Sequence, residues 1–148
     1  MEEKKFKETI QFAIEKEIKS FNFYTEASKL AKFSGAKELF SDLAREEVGH
    51  RKMLEKLDRE KVIGVRIEGV PDLRISDYLV EIEYKPDLPY ADILRIAMKM
   101  EEKSLNLYTD MKKSNTNADL KKLFEFLANE EAKHKLRLEK IYDDEILK

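Results

Sequence analysis

The chain contains only two histidines, and each follows a glutamate by three residues. They lie in the segments Glu47-Val-Gly-His50 and Glu131-Ala-Lys-His134. Residues three apart on a helix share one face, so the carboxylate and the imidazole of each pair can reach the same metal ion. Each pair therefore predicts part of a metal site, provided that both segments are helical.

The two Glu-x-x-His pairs belong to an internal repeat. Residues 13–57 align with residues 97–141 without a gap at an offset of 84, and 19 of the 45 aligned positions are identical. The alignment also pairs Glu17 with Glu101. One carboxylate plus one Glu-x-x-His motif per copy is the ligand set of a two-metal site inside a helical bundle. The predicted metal ligands are Glu17, Glu47, His50, Glu101, Glu131 and His134.

Four segments carry apolar residues at intervals of three or four, which is typical of helices with one face in a core. The two links between neighbouring helices are short and polar, Ser34-Gly35 and residues 114–117, so each pair of helices should form an antiparallel hairpin. All six predicted ligands interrupt the apolar stripes. The predicted helices span about 4–32, 35–60, 90–113 and 117–145.

The segment between the two predicted hairpins differs from the rest of the chain. Residues 62–70 are β-branched and punctuated by glycine, which favours an extended strand, and residues 76–84 favour a short helix. The whole connection, about 61–89, is too long for a turn and predicts a crossover along the bundle. An exposed strand there could also pair with a second chain, which suggests a homodimer.

The charge of the predicted site favours two metal ions over one. An ionised carboxylate in a core is costly unless it is paired or bound to a metal. Two divalent ions would balance the four glutamates, and neutral imidazoles would complete the ligand shells. A single Glu-x-x-His pair in a glutamate-rich chain is often coincidental, but here both copies carry it on an apolar stripe. Oxygen and nitrogen ligands of this kind suit iron or manganese, and zinc can occupy the same site.

Two tyrosines also repeat, seven residues after the first glutamate of each copy. Tyr24 and Tyr108 are either core aromatics whose hydroxyls need a partner, or groups that donate to the ligand carboxylates or take part in redox chemistry. The neighbouring acids Glu46 and Glu130 repeat as well, but they lie about 100° around the helix and are expected to face solvent.

Composition excludes several other classes of protein. The chain has 29 basic and 31 acidic residues, spread along its length, so no basic patch for nucleic acid is expected. It has no cysteine for a disulfide, a thiol nucleophile or a Cys-x-x-Cys iron centre. No apolar run approaches the ~20 residues of a membrane span, and the N-terminus lacks the apolar core of a signal peptide. We therefore expect a soluble, cytoplasmic protein.

With these residues, the chain resembles the ferritin-like di-iron carboxylate superfamily, and most of all the rubrerythrin di-iron domain. The resemblance covers nearly the whole chain. It implies an all-α fold, a ferritin-like four-helix bundle made of two repeated helical hairpins joined by a long crossover, in a single domain at 1–148. It also implies two iron ions, bridged by Glu47 and Glu131. Glu17 and Glu101 would be terminal ligands, and His50 and His134 would bind at opposite ends.

Members of this family typically reduce hydrogen peroxide, or oxidise ferrous iron with oxygen or peroxide. Rubrerythrins carry a further glutamate at the position of Ser104, so the iron movement that depends on it is not implied for this chain. The rubredoxin module is also absent, so reduction would need an external electron donor such as a rubredoxin-like protein. Three functions remain open: a peroxide- or oxygen-reducing oxidoreductase, a ferroxidase or iron-binding protein, and a metal-stabilised structural or carrier domain.

Overall fold

The computed structural model describes residues 2–31, 34–59, 88–115 and 117–147. The predicted helix boundaries agree with the observed ones to within two residues. Ser34 and Gly35, which the sequence pattern places in the link, lie instead in the first turn of α2, where the backbone N–H groups have no acceptor within the helix. The four helices are α1 (Glu2–Leu30), α2 (Ser34–Arg59), α3 (Tyr90–Ser114) and α4 (Ala118–Glu145).

The chain divides into two compact units, Met1–Val70 and Pro71–Lys148. In the first unit α1 packs against α2, and in the second α3 packs against α4. Near the link of the first unit, the Ser28 and Ser41 hydroxyls lie 2.8 Å apart. Farther from the link, Glu17 lies beside His50. Residues that are farther from the link on α1 contact residues that are farther from the link on α2. The two helices are therefore antiparallel, as predicted for a hairpin.

The second unit is an antiparallel hairpin by the same criterion. Lys112 meets Glu125 near the link at 3.5 Å, and Arg95 meets Tyr142 near the other end. There the Arg95 Nε donates to the Tyr142 hydroxyl at 3.0 Å, and the guanidinium lies 5.4 Å from the centre of the ring. Burial, together with the nearby Glu145 carboxylate, raises the pKa of the Tyr90 hydroxyl. These contacts hold the C-terminal end of α4 against α3.

Burial follows the sequence repeat. Leu43 and Leu127, which the repeat aligns, are both fully buried, and so are Leu54 and Leu138. Each copy therefore places the same stripe in the interior of its own hairpin. This is expected when apolar residues recur at helical spacing. The other aligned apolar pairs that are buried in both copies are Ala13 with Ala97, Phe23 with Leu107, Tyr24 with Tyr108, Ala27 with Met111, Ala36 with Leu120, Phe40 with Phe124 and Ala44 with Ala128.

Two asparagines make the link between α3 and α4. The Asn115 side chain donates to the carbonyl of Met111 at 2.9 Å, at the end of α3. The Asn117 side chain accepts from the Leu120 N–H at 3.0 Å and so caps α4, as the polar link predicts. The link thus satisfies backbone groups at both helix ends.

Replacing Asn117 with alanine should lower the free energy of unfolding by about 1 kcal/mol, because the Leu120 N–H loses its acceptor. Asn117→Asp keeps an acceptor and should stay close to the native stability. Urea unfolding of the three proteins at equal metal content measures the difference. Equal stability of the alanine and aspartate variants would mean that the cap contributes nothing.

The crossover at about 61–89, with its predicted strand at 62–70 and short helix at 76–84, lies outside the described residues except at its end. Pro89 is described and precedes α3, where its carbonyl accepts from the N–H groups of Asp92 and Ile93 at 2.9 and 3.1 Å. Among the described helices, none has a stretch long and apolar enough to span a membrane.

Candidate metal centre

In the first hairpin, α1 and α2 bring together a trio of metal-binding side chains: Glu17, Glu47 and His50. One ligand atom from each lies within 4.8 Å of the others. The Nδ1 atom of His50 is 3.3 Å from an oxygen of Glu47 and 3.8 Å from an oxygen of Glu17. The three residues are only 1%, 0% and 4% exposed, respectively. This first trio is therefore a compact polar cluster inside an otherwise apolar hairpin.

The second hairpin carries the equivalent trio from α3 and α4: Glu101, Glu131 and His134. One ligand atom from each again lies within 4.8 Å of the others. The Nδ1 atom of His134 is 3.5 Å from an oxygen of Glu101 and 4.0 Å from an oxygen of Glu131. The three residues are 1%, 0% and 2% exposed. The repeat in the sequence is thus a repeat of a side-chain cluster.

Helix geometry explains how each trio forms. Glu47 and His50 are three residues apart on α2, so both side chains lie on the same helix face. Glu17 comes from the antiparallel helix α1, at the level where the two helices place residue 17 beside residue 50. The same arrangement recurs with Glu101 on α3. All six residues proposed from sequence are buried and gathered in these trios, while their role as metal ligands stays a prediction.

The charge of each trio fits a divalent cation. Two ionised carboxylates and a neutral imidazole carry a charge of −2, and burial removes the water that would otherwise screen it. A buried charge of this size requires a counter-charge close by. One divalent ion per trio would supply it, and the oxygen and nitrogen donors match those preferred by iron or manganese and accepted by zinc. No sulfur ligand is available, since the chain has no cysteine.

Tyr24 is a core aromatic of the first hairpin. It is fully buried, its ring meets Phe23 edge-on with centroids 5.6 Å apart, and it stacks on Phe40 at 6.1 Å. Tyr108 is also fully buried at the aligned position. The packing supports the first of the two interpretations made from sequence, and a role of the hydroxyls beside the ligands stays a prediction.

Sequence reasoning missed a buried serine in the first copy. Ser20 lies one turn after Glu17 and is 5% exposed, and its aligned partner Ser104 lies one turn after Glu101 and is 3% exposed. Both sit on the core-facing stripe between the first ligand and the tyrosine. The signal was present, because the serine is identical in both copies and interrupts an apolar stripe. Each trio therefore has a small hydroxyl residue one helical turn away.

A pair of helical hairpins, each with two buried glutamates and a histidine in a Glu-x-x-His pattern, defines the class of ferritin-like carboxylate proteins. The rubrerythrin family model matches residues 8–142, so this chain belongs to the rubrerythrin family. A search of functionally curated proteins found no significant match.

Two solved structures resemble the chain along most of its length. A hypothetical protein from Pyrococcus furiosus is 26% identical with a TM-score of 0.74, covering 93% of this chain and 87% of that one. A protein from Thermotoga maritima, described as a ferritin-like diiron-carboxylate protein, is 22% identical with a TM-score of 0.72, covering 95% and 94%. They confirm the predicted fold class, an all-α ferritin-like four-helix bundle.

Proposed function

We propose that this protein is a di-iron carboxylate oxidoreductase of the rubrerythrin type, which reduces hydrogen peroxide or oxygen with electrons from an external donor. The observation that carries the proposal is the pair of buried trios, each with two carboxylates and an imidazole within 4.8 Å. Membership of the rubrerythrin family supports the choice of iron.

In the proposed site the two trios would together hold two ions. Glu47 and Glu131 would be shared by the ions, Glu17 and Glu101 would each hold one of them, and each histidine would complete the ligands of one ion. The repeat supports this pairing, because two trios with the same residues at the same spacing would make a pseudo-symmetric site. With four ionised glutamates and two neutral histidines, the ligands would balance two ferrous ions.

When bound, two ferrous ions would supply the two electrons that hydrogen peroxide and two protons need to form two molecules of water. The four glutamates favour the oxidised state, because their negative charge stabilises the higher charge that oxidation leaves behind. Burial keeps bulk water from the site and strengthens these electrostatic interactions. An external donor, such as a rubredoxin-like protein, returns the electrons, since the chain has no cysteine for an iron–sulfur centre of its own.

Tyr24 and Tyr108 are proposed to act beside the site, either as hydrogen-bond donors that orient ligand carboxylates or as redox-active neighbours. Both tyrosines are fully buried, which favours a fixed orientation.

Iron binding and oxidation test the function. Anaerobic loading with ferrous iron should give two irons per chain, and stoichiometric peroxide should produce the ferric absorbance faster than oxygen does. Glu46→Gln and Glu130→Gln are matched controls, because these acids sit next to the bridging glutamates but are exposed or half-buried, and both variants should behave like the native protein.

Other results would select among the alternatives. Faster oxidation by oxygen, followed by release of ferric iron, would favour a ferroxidase or iron-binding protein. Two tightly held metals without oxidation would indicate a structural or carrier domain. A chain that binds no metal would contradict the proposal altogether.

A further inference from the structure

The second hairpin has an apolar groove on its outer surface, with a volume of about 580 Å³. Leu136 and Leu147 lie along it and are 67% and 62% exposed, the two largest values among the large apolar side chains of the described residues. Exposed apolar side chains that line one groove together indicate a binding surface more often than chance. The groove is lined by Met98, Leu136, Glu139, Lys140, Tyr142, Asp143 and Leu147.

The first copy of the repeat lacks the apolar residue at the equivalent position. Lys52 aligns with Leu136 and is exposed on α2. A lysine is the ordinary choice for the solvated face of a helix, and the same fold accepts it there. The helical hairpin itself therefore does not require a leucine at this position of α4.

We propose that this groove binds a second copy of the chain through a two-fold contact in which the two α4 helices run antiparallel. Leu136, Lys140 and Asp143 follow one another at intervals of four and three residues on one face of α4, and Leu147, two residues beyond the end of α4, lines the same groove. When the two-fold axis passes between residues 141 and 142 of the two α4 helices, Leu136 of one copy lies opposite Leu147 of the second copy. The same two-fold sets Lys140 opposite Asp143 of the second copy.

Apolar and charged residues thus become complementary under one symmetry operation. The symmetry repeats each pair, so a single contact contains two leucine pairs and two lysine–aspartate pairs. Lys140 and Asp143 are both exposed at the groove, where opposite charges fix the register of an interface. Glu139 does not compete for Lys140, since it already pairs with Lys135 at 2.9 Å.

The size of the surface sets the expected strength. Leu136 lies about 14 Å along the helix from the end of α4 at Glu145, and Leu147 extends the contact just beyond that end. Stable interfaces usually bury about 800 Å² on each partner, and one pair of short helical faces buries less. A reversible dimer that dissociates on dilution is therefore expected.

Sedimentation equilibrium of the iron-loaded chain over a range of concentrations tests the contact. The native protein should show a monomer–dimer equilibrium. Leu136→Lys gives the groove the residue that the first copy carries, and it should weaken the dimer at least about tenfold by exchanging a buried leucine for a charge. Phe126→Lys is the control, since Phe126 is 43% exposed on the same helix but about 80° away, and it should dimerise like the native protein.

A charge exchange tests the register separately. Lys140→Asp and Asp143→Lys should each weaken the dimer, because each places like charges opposite one another. The double variant restores opposite charges and should recover most of the native affinity. Circular dichroism and iron content confirm that each variant is folded. The proposal is overturned if the native chain is monomeric throughout, if Leu136→Lys dimerises as well as Phe126→Lys, or if the double variant is no better than the single ones.

Discussion

Replacing either histidine with alanine is expected to leave one iron per chain instead of two, and to slow peroxide-dependent oxidation by at least about a hundredfold. Each histidine is the only nitrogen donor of its trio, and the chain has no third histidine to replace it. Peroxide reduction needs two electrons, and a site with one ferrous ion supplies one. Metal analysis and stopped-flow absorbance, applied to His50→Ala and His134→Ala, measure both effects.

The repeat makes these two variants controls for each other. They remove equivalent ligands from equivalent trios, so similar losses in both would indicate one shared site. The double variant should bind neither ion tightly. If His134→Ala kept two irons and the native rate while His50→Ala lost both, the second trio would not be part of the reactive site.

Removing the metal is the second large perturbation, and it should strongly destabilise the protein. A thousandfold excess of free metal over its Kd stabilises a folded protein by about 4 kcal/mol, which corresponds to about 8 to 16 °C in Tm for a chain of this size. The physical source is the set of four glutamates that are at most 1% exposed, which lose their counter-charges on chelation. Thermal unfolding with and without chelator measures the loss.

The stabilisation of the protein by bound metal should decrease as the pH is lowered. Protons and metal ions compete for the same oxygen and nitrogen atoms, so lowering the pH weakens metal binding. The Tm difference between loaded and metal-free protein should therefore be larger at pH 7.5 than at pH 5.5. A difference that grew as the pH fell would contradict the assignment of carboxylates and imidazoles as ligands.

A variant without the two proposed bridging charges separates the metal from the fold. Glu47→Gln combined with Glu131→Gln should unfold at nearly the same temperature with and without chelator. In the metal-free state it should be more stable than the native chain, because two buried negative charges are gone. A metal-free double variant less stable than the metal-free native chain would show that these glutamates stabilise the fold without a metal.

The helices and the trios were predictable because both depend on local spacing. Apolar stripes locate a helix to within two residues, and a glutamate on such a stripe must be buried, as Glu17 and Glu131 are. The predicted start of α2, at residue 35, was one residue too late, because a glycine in the first turn of a helix resembles a link between helices. The crossover at about 61–89 stays a prediction.

Features that depend on neighbours in space were harder to predict. The stacking of Tyr24 on Phe40 joins two helices, and periodicity along one helix does not reveal which rings meet. The groove on the second hairpin was also missed. The sequence indicates this groove only through Leu136, which lies off the core-facing stripe where the other copy has Lys52. Comparing the solvent-exposed positions of the two copies would have revealed this difference.

The lysine at position 52 has a consequence for how far assembly can proceed. A chain with a self-complementary face on both hairpins would have two such faces and could link to a new neighbour through each of them, growing into an open fibre. With Leu136 on one hairpin and Lys52 on the other, the proposed face would be present once among the described helices, and pairing would occupy it. Divergence between the two copies of the repeat would thus end assembly at a closed pair of chains.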